Sequence, residues 1–161
     1  MTQPTTPAAS PAEGRRVLFV CVRNGGKSQM AAGLTRHAAE QQGLPVQVSS
    51  AGTRAGEALN AQSVESLAEV GVDISTARTH QITDDDVRAA DLVVVLGSEA
   101  HVEPVDGTPV EVWETDEPSS RGIEGMERMR LVRDDIAARV DELLARLVSV
   151  AQNGRCQSPF R

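Results

Sequence analysis

Short apolar runs alternate along this chain with stretches whose apolar positions recur every three or four residues. Residues 16–21, RVLFVC, are almost continuously apolar and include β-branched side chains, the pattern of a parallel strand buried on both faces. A Gly-rich turn follows, and then Ser28 to Gln42 places Met30, Ala31, Leu34 and Ala38 at helical spacing, with Gly43-Leu44-Pro45 as the stop. Val46 to Ala51 alternates and runs into Gly52, which predicts a second strand. Asn60 to Val70 is amphipathic through Val64, Leu67, Ala68 and Val70, and Gly71 stands where a helix C-cap is expected. Thr83 before Asp84, Asp85 and Asp86 reads as a cap with an acidic first turn. Residues 92–96, LVVVL, predict the clearest buried strand, and Val110 to Trp113 a fourth. From Gly122 onward, Met129, Val132, Ile136, Val140, Leu143 and Leu147 step by three or four residues and predict one long final helix.

Strands alternating with helices imply right-handed βαβ units around a parallel sheet of about four strands. In such sheets the ligand crevice lies at the carboxyl ends of the strands, where Cys21 stands immediately before a helix. No internal repeat or second domain is visible. The expected organisation is a leader at 1–14, one α/β domain at 15–150 and a patternless tail at 151–161.

Length and composition narrow the classes. A chain of 161 residues is large enough for one ordinary core without disulfides or a structural metal. The net charge of -7 disfavours a nucleic-acid or anionic-membrane partner. An anion would therefore need a local device, such as a helix N-terminus with converging backbone amides. Two cysteines make no disulfide framework and fit a reducing compartment, no apolar run approaches a membrane span, and the N-terminus lacks the apolar core of a signal peptide. The expected location is the cytoplasm. His37, His80 and His101 have no ligand spacing, so no metal is expected.

Residues 17–28, VLFVCVRNGGKS, pose the chemical question. The tail GGKS resembles a nucleotide P-loop, but Cys21 occupies the place of that pattern's first glycine. Such nucleotide sites usually pair with an apolar strand ending in a Mg²⁺-directing Asp, whereas LVVVL runs into Gly97, Ser98 and Glu99. The other reading is a nucleophilic cysteine. Val22, Arg23, Asn24, Gly25 and Gly26 would wrap an oxyanion, the glycines would let amides turn inward, and the helix N-terminus with Lys27 would favour a thiolate. Ser28 offers a hydroxyl to the sulfur. A nucleophile beneath a tetrahedral oxyanion suits attack on phosphorus or arsenic.

CVRNGGKSQMA, SSAGT at 49–53 and the late segment W-x-x-D-E-P together resemble the low-molecular-weight tyrosine phosphatase superfamily, and within it the mycothiol-using arsenate reductases of actinobacteria. The resemblance runs from about Arg16 to Leu147. It implies a flavodoxin-like three-layer sandwich with helices on both faces, Cys21 as nucleophile, Asn24 bracing the loop and Ser28 activating the thiol. Two departures test it. Lys27 stands where the family has arginine, and a point charge cannot make arginine's planar two-pronged contact, which puts phosphate-ester hydrolysis most in doubt. The family's general acid is an Asp directly before Pro, whereas here Glu117 precedes Pro118 and Asp116 lies one earlier; Asp116 is the favoured acid, with Glu117 the alternative.

The phosphatases flank their pockets with aromatic rings, but this chain has no tyrosine, and Ser119, Ser120 and Arg121 follow Pro118. A small inorganic oxyanion needs no such walls, which favours arsenate. Thioredoxin-coupled reductases of this fold carry two further cysteines after the second helix, where this chain has none; Cys156 is its only other thiol. The expected cycle is therefore arsenate detoxification through an external thiol, with mycothiol as co-substrate, no bound cofactor, and mycoredoxin, a glutaredoxin-like partner, releasing arsenite. A tyrosine phosphatase, a thioredoxin-coupled arsenate reductase, a nucleotide-binding protein and a non-catalytic oxyanion-binding protein, which Lys27 would permit, remain the other readings.

Overall fold

A computed structural model describes residues 15–156, with side-chain surroundings through Val148. The expected leader and the last five residues of the expected tail lie outside the described residues. In chain order the elements are β1 (Arg15–Cys21), α1 (Lys27–Gln42), β2 (Val46–Gly52), α2 (Ala61–Ala68), α3 (Asp84–Ala89), β3 (Leu92–Leu96), β4 (Val110–Trp113), a 3₁₀ turn (Pro118–Arg121) and α4 (Gly125–Cys156).

The four strands form one sheet in the order β2-β1-β3-β4, and every pairing is parallel. β1 is paired on both sides, which explains its unbroken apolar run. Alternate residues serve opposite faces: Val17 and Phe19 enter the larger core, Leu18 and Val20 the smaller. The α/β fold expected from the sequence is the one observed, but its layers are unequal. α1, α2 and α4 contribute to the larger core through Met30, Leu67, Ile136, Val140 and Leu143. The opposite face is covered by Val87 of α3 and by loop residues such as Ala100 and Val102.

Local chemistry sets several boundaries. Gly43 ends α1 in the left-handed conformation, and its amide returns to Ala39 and Glu40 carbonyls. Thr83 and Asp86 close a reciprocal capping box on α3. α4 differs from its expected end: it continues past Leu147 through 151–156, residues expected to be tail. Once a helix is nucleated each added residue gains a backbone bond at little cost, so a packing face is not needed at every turn. Among the described residues no helix is long and apolar enough to cross a membrane.

Candidate active site

Cys21 ends β1 opposite Gly52, the last residue of β2. The loop beyond it is stitched along its outer edge to the segment after β2. The Cys21 carbonyl accepts from the Thr53 amide at 3.1 Å, Val22 from Arg54 at 2.8 Å, Arg23 from Gly56 at 2.9 Å and Gly25 from Asn60 at 2.7 Å. In a trans peptide the carbonyl and the next amide point opposite ways, so fixing these carbonyls outside turns the following amides toward the loop's interior. The Asn24 amide donates to Cys21 Sγ at 3.3 Å.

Two small-residue requirements follow from this stitching. A Cβ on Gly52 would lie 2.7 Å from the Val22 carbonyl oxygen, and one on Gly25 would lie 2.9 Å from the Ala58 carbonyl oxygen. SSAGT therefore needs glycine at 52 so that two backbones can lie close. The sequence reading gave the loop's turning freedom to Gly25 and Gly26. The left-handed residue is instead Asn24, with φ 60°, a conformation asparagine tolerates better than most side chains.

Asn24 is fully buried, and both polar atoms of its side chain are hydrogen-bonded. Its Nδ2 donates to Ser28 Oγ at 2.8 Å, and its Oδ1 accepts from the His80 amide at 2.9 Å and from Gln29 Nε2 at 3.2 Å. Ser28 Oγ lies 3.0 Å from Cys21 Sγ. A thiolate can only accept, so in that state Ser28 is the donor. α1 begins at Lys27 without a side-chain cap on its first amides, which leaves its positive end directed at the loop. Gln29 was missed by the sequence reading. It is a buried polar side chain on the helix face that packs inward, and its Nε2 also donates to the Arg78 carbonyl at 3.0 Å.

The sulfur opens into a cleft of about 410 Å³ between this loop and the end of β3 at Gly97–Glu99, with Lys27 and Glu117 on its wall. Lys27 Nζ and Glu117 Oε2 are 2.5 Å apart. Glu117 follows β4, which is anchored where Trp113 packs tilted on Phe19 with centroids 5.8 Å apart. Asp116 is placed differently. Its carboxylate accepts from Arg121 at 2.8 and 3.2 Å, its amide donates to Asp135 at 2.9 Å, and it does not line the cleft. The Arg121 hydrogen bonds hold the Asp116 carboxyl below the usual carboxylate range. The structure thus brings Cys21, Val22, Arg23, Lys27 and Glu117 to one cleft, with Asn24, Gly25 and Gly26 in the loop and Ser28 in the first turn of α1 behind it, and keeps Asp116 outside. Among the described residues no aromatic ring lines the cleft.

Among the described residues no group of three His, Cys, Asp or Glu side chains is placed to hold a metal. His80 pairs with Asp86 at 2.7 Å and His101 with Glu103 at 2.5 Å. Cys156 closes α4, and at ~1.5 Å per residue its backbone lies roughly 46 Å along the axis from the Gly125 end.

The chain is similar to several proteins of known sequence and structure. The Bacillus subtilis arsenate reductase is 35% identical over 137 residues, covering 81% of this chain and 95% of that protein. Arsenate reductase 1 of Staphylococcus haemolyticus is 32% identical over 141 residues, covering 83% and 98%. Among solved structures, the thioredoxin-dependent arsenate reductase Cg_ArsC1' of Corynebacterium glutamicum superposes with a TM-score of 0.71 at 32% identity, over 86% of this chain and 64% of that one. An arsenate reductase in a phosphate-binding state superposes with a TM-score of 0.68 at 28% identity, over 83% and 98%. The sequence pattern of the low molecular weight phosphotyrosine protein phosphatases matches residues 16–153, which takes in the Cys21 loop, the stitching segment and Glu117 alike. With the loop built from those matched residues around the sulfur, this chain belongs to the low molecular weight phosphotyrosine protein phosphatase family.

Proposed function

We propose that the protein is an arsenate reductase that hands arsenic to an external small thiol. The observation that carries this reading is the sulfur of Cys21 held by Ser28 Oγ and the Asn24 amide at the floor of a cleft that, among the described residues, has no aromatic walls. Such a floor supports a thiolate nucleophile, and such a cleft fits a small tetrahedral oxyanion better than an aryl ester. The arsenate reductases of B. subtilis and S. haemolyticus support the choice of arsenate.

The cycle begins as the Cys21 thiolate attacks arsenic and an As–O bond breaks. Glu117, once released from Lys27, takes up a proton from solvent and passes it to the departing oxygen, which leaves as water; its carboxyl lines the cleft, whereas Asp116 is tied to Arg121. The incoming oxyanion competes with Glu117 for Lys27, and this frees the carboxyl for proton transfer. The thiolate of a small thiol, mycothiol, then attacks arsenic and releases Cys21 as thiolate. Mycoredoxin attacks the sulfur of the mycothiol–arsenate adduct, forms a mixed disulfide with mycothiol and takes arsenic(V) to arsenite by two electrons.

A thioredoxin-coupled cycle is the second reading, favoured by the likeness to Cg_ArsC1'. It requires internal cysteines to relay electrons. The segment between α2 and α3 has none, and the backbone of Cys156 lies far along α4 from the Gly125 end. Both points support the external thiol.

The test is arsenate-dependent NADPH consumption with mycothiol, mycoredoxin and a mycothiol-disulfide reductase, beside Cys21→Ser and Cys156→Ser. The expected result is turnover that needs mycothiol, vanishes in Cys21→Ser and is unchanged in Cys156→Ser. Turnover with thioredoxin alone, lost in Cys156→Ser, would replace this reading with the second one.

A further inference from the structure

Three arginines flank the Cys21 loop without a carboxylate partner. Arg23, Arg54 and Arg78 are exposed, and among the described residues none forms an ion pair. Of the other described arginines, Arg88, Arg121, Arg128, Arg130, Arg133, Arg139 and Arg146 each hold a carboxylate, whereas Arg15, Arg16 and Arg36, away from this loop, do not. The fold gathers the three from separate segments. The Arg54 amide is bonded to Val22, and the Gly56 amide to Arg23. Thr79 Oγ1 donates to the Gly56 carbonyl at 2.7 Å, and Gln29 Nε2 ties the Arg78 carbonyl to the floor of the loop at 3.0 Å. Arg23 lines the cleft itself.

The other charges at this mouth do not cancel the three. Lys27 and Glu117 neutralise each other at 2.5 Å, and the unpaired carboxylates Glu57 and Glu99 are fewer than the arginines. Glu99 belongs to the opposite wall, beyond β3. The mouth is therefore polarised, positive along the stitching segments and negative along β3.

This polarity matters because the whole chain carries -7, a field that repels an anionic substrate. Surface charges act locally, since the screening length is ~10 Å at 0.1 M salt. We propose that Arg23, Arg54 and Arg78 form an anion-collecting rim that draws small oxyanions to Cys21 and makes this thiol prefer anionic over neutral reactants. The proposal rests on the reading of Cys21 as a nucleophile toward an oxyanion, but the rim acts on any small anion. It governs encounter and not the chemical step.

The experiment compares two alkylating reagents of nearly equal size, iodoacetate and iodoacetamide, on a Cys156→Ser background in which Cys21 is the only thiol. The iodoacetate-to-iodoacetamide rate ratio is expected to fall about tenfold from low to high ionic strength, the lower end of the range for electrostatic steering. Adding Arg54→Gln and Arg78→Gln is expected to flatten that dependence and leave the iodoacetamide rate unchanged. An unaltered ratio would overturn the rim, and so would an equal loss with both reagents, which would make the arginines structural. A salt-sensitive ratio in a protein that does not turn over arsenate would leave the rim standing and remove the arsenate reading. Arsenate turnover beside a salt-independent ratio would do the reverse.

Discussion

The two walls of the cleft are built on different principles. The nucleophile loop is held by uncharged groups that are buried and paired: Asn24 and Ser28 are fully buried, and four loop carbonyls are fixed by backbone amides. The acid segment between β4 and α4 is held by charges at the surface. Glu117 reaches Lys27 with its side chain 58% exposed, and Asp116 is tied to Arg121. Even its buried hydroxyl, Thr115 Oγ1, has no hydrogen-bond partner. Buried, satisfied networks rigidify, whereas exposed ion pairs contribute little and exchange partners readily. The contrast suits the proposed chemistry. A nucleophile gains from fixed geometry, while an acid that must leave Lys27 for a departing oxygen gains from freedom.

The largest effect is expected on the rigid wall. Asn24→Ala loses the side chain that favours the left-handed turn, leaves the His80 amide without its acceptor and costs Gln29 one of its two. A stability loss of about 2–4 kcal/mol in urea unfolding and a fall of ~100-fold in arsenate turnover are expected. Asn24→Gly, which restores the backbone freedom alone, should recover only part of either. Activity within a few-fold of the parent would break the comparison at its stronger side.

The next test sharpens the mobile wall. Glu117→Gln is expected to lower kcat by roughly 10²-fold, the range for one general acid, while Asp116→Asn changes it less than about threefold. Steady-state rates of the two variants side by side decide this, and a reversed order would return the acid role to Asp116.

The smallest effect concerns an exposed ion pair remote from the site. Hydrogen bonds from Arg130, and then from Arg133, take the Glu69 carboxyl from its ordinary 4.5 to about 2, against the opposing effect of burial. A group whose folded value is depressed stabilises above its unfolded value and loses that contribution as pH falls through the folded one. Glu69→Gln should therefore be slightly less stable than the parent at neutral pH, and that small difference should close as pH falls from 4.5 toward 2. Thermal unfolding of both proteins across that range checks it. Equal acid sensitivity would show that this pair adds nothing.

Much of this molecule is legible locally. The continuous apolar runs of β1 and β3 and the capping box at Thr83 follow from neighbouring side chains alone. Gln29 was not legible, because a glutamine within an apolar helical stretch reads as a solvent-facing position until its acceptors are known. They are Asn24 and Arg78, and the second lies 49 residues away. Arg54 has no salt-bridge partner among the described residues; its neighbours come from the Cys21 loop and the segment around Thr79.

What the sequence determined by itself was the position of the candidate nucleophile, Cys21. An apolar strand, a cysteine, a Gly-Gly turn and a helix are consecutive, and the hydrophobic period that reveals them is a short-range property. Which carboxyl faces that cysteine was decided only by the tertiary structure. Asp116 and Glu117 are adjacent, so a single peptide step sends one toward Arg121 and the other to Lys27, 90 residues away in the chain. No local pattern distinguishes two neighbouring acids; the packing of Trp113 on Phe19 and the path of the turn after it do.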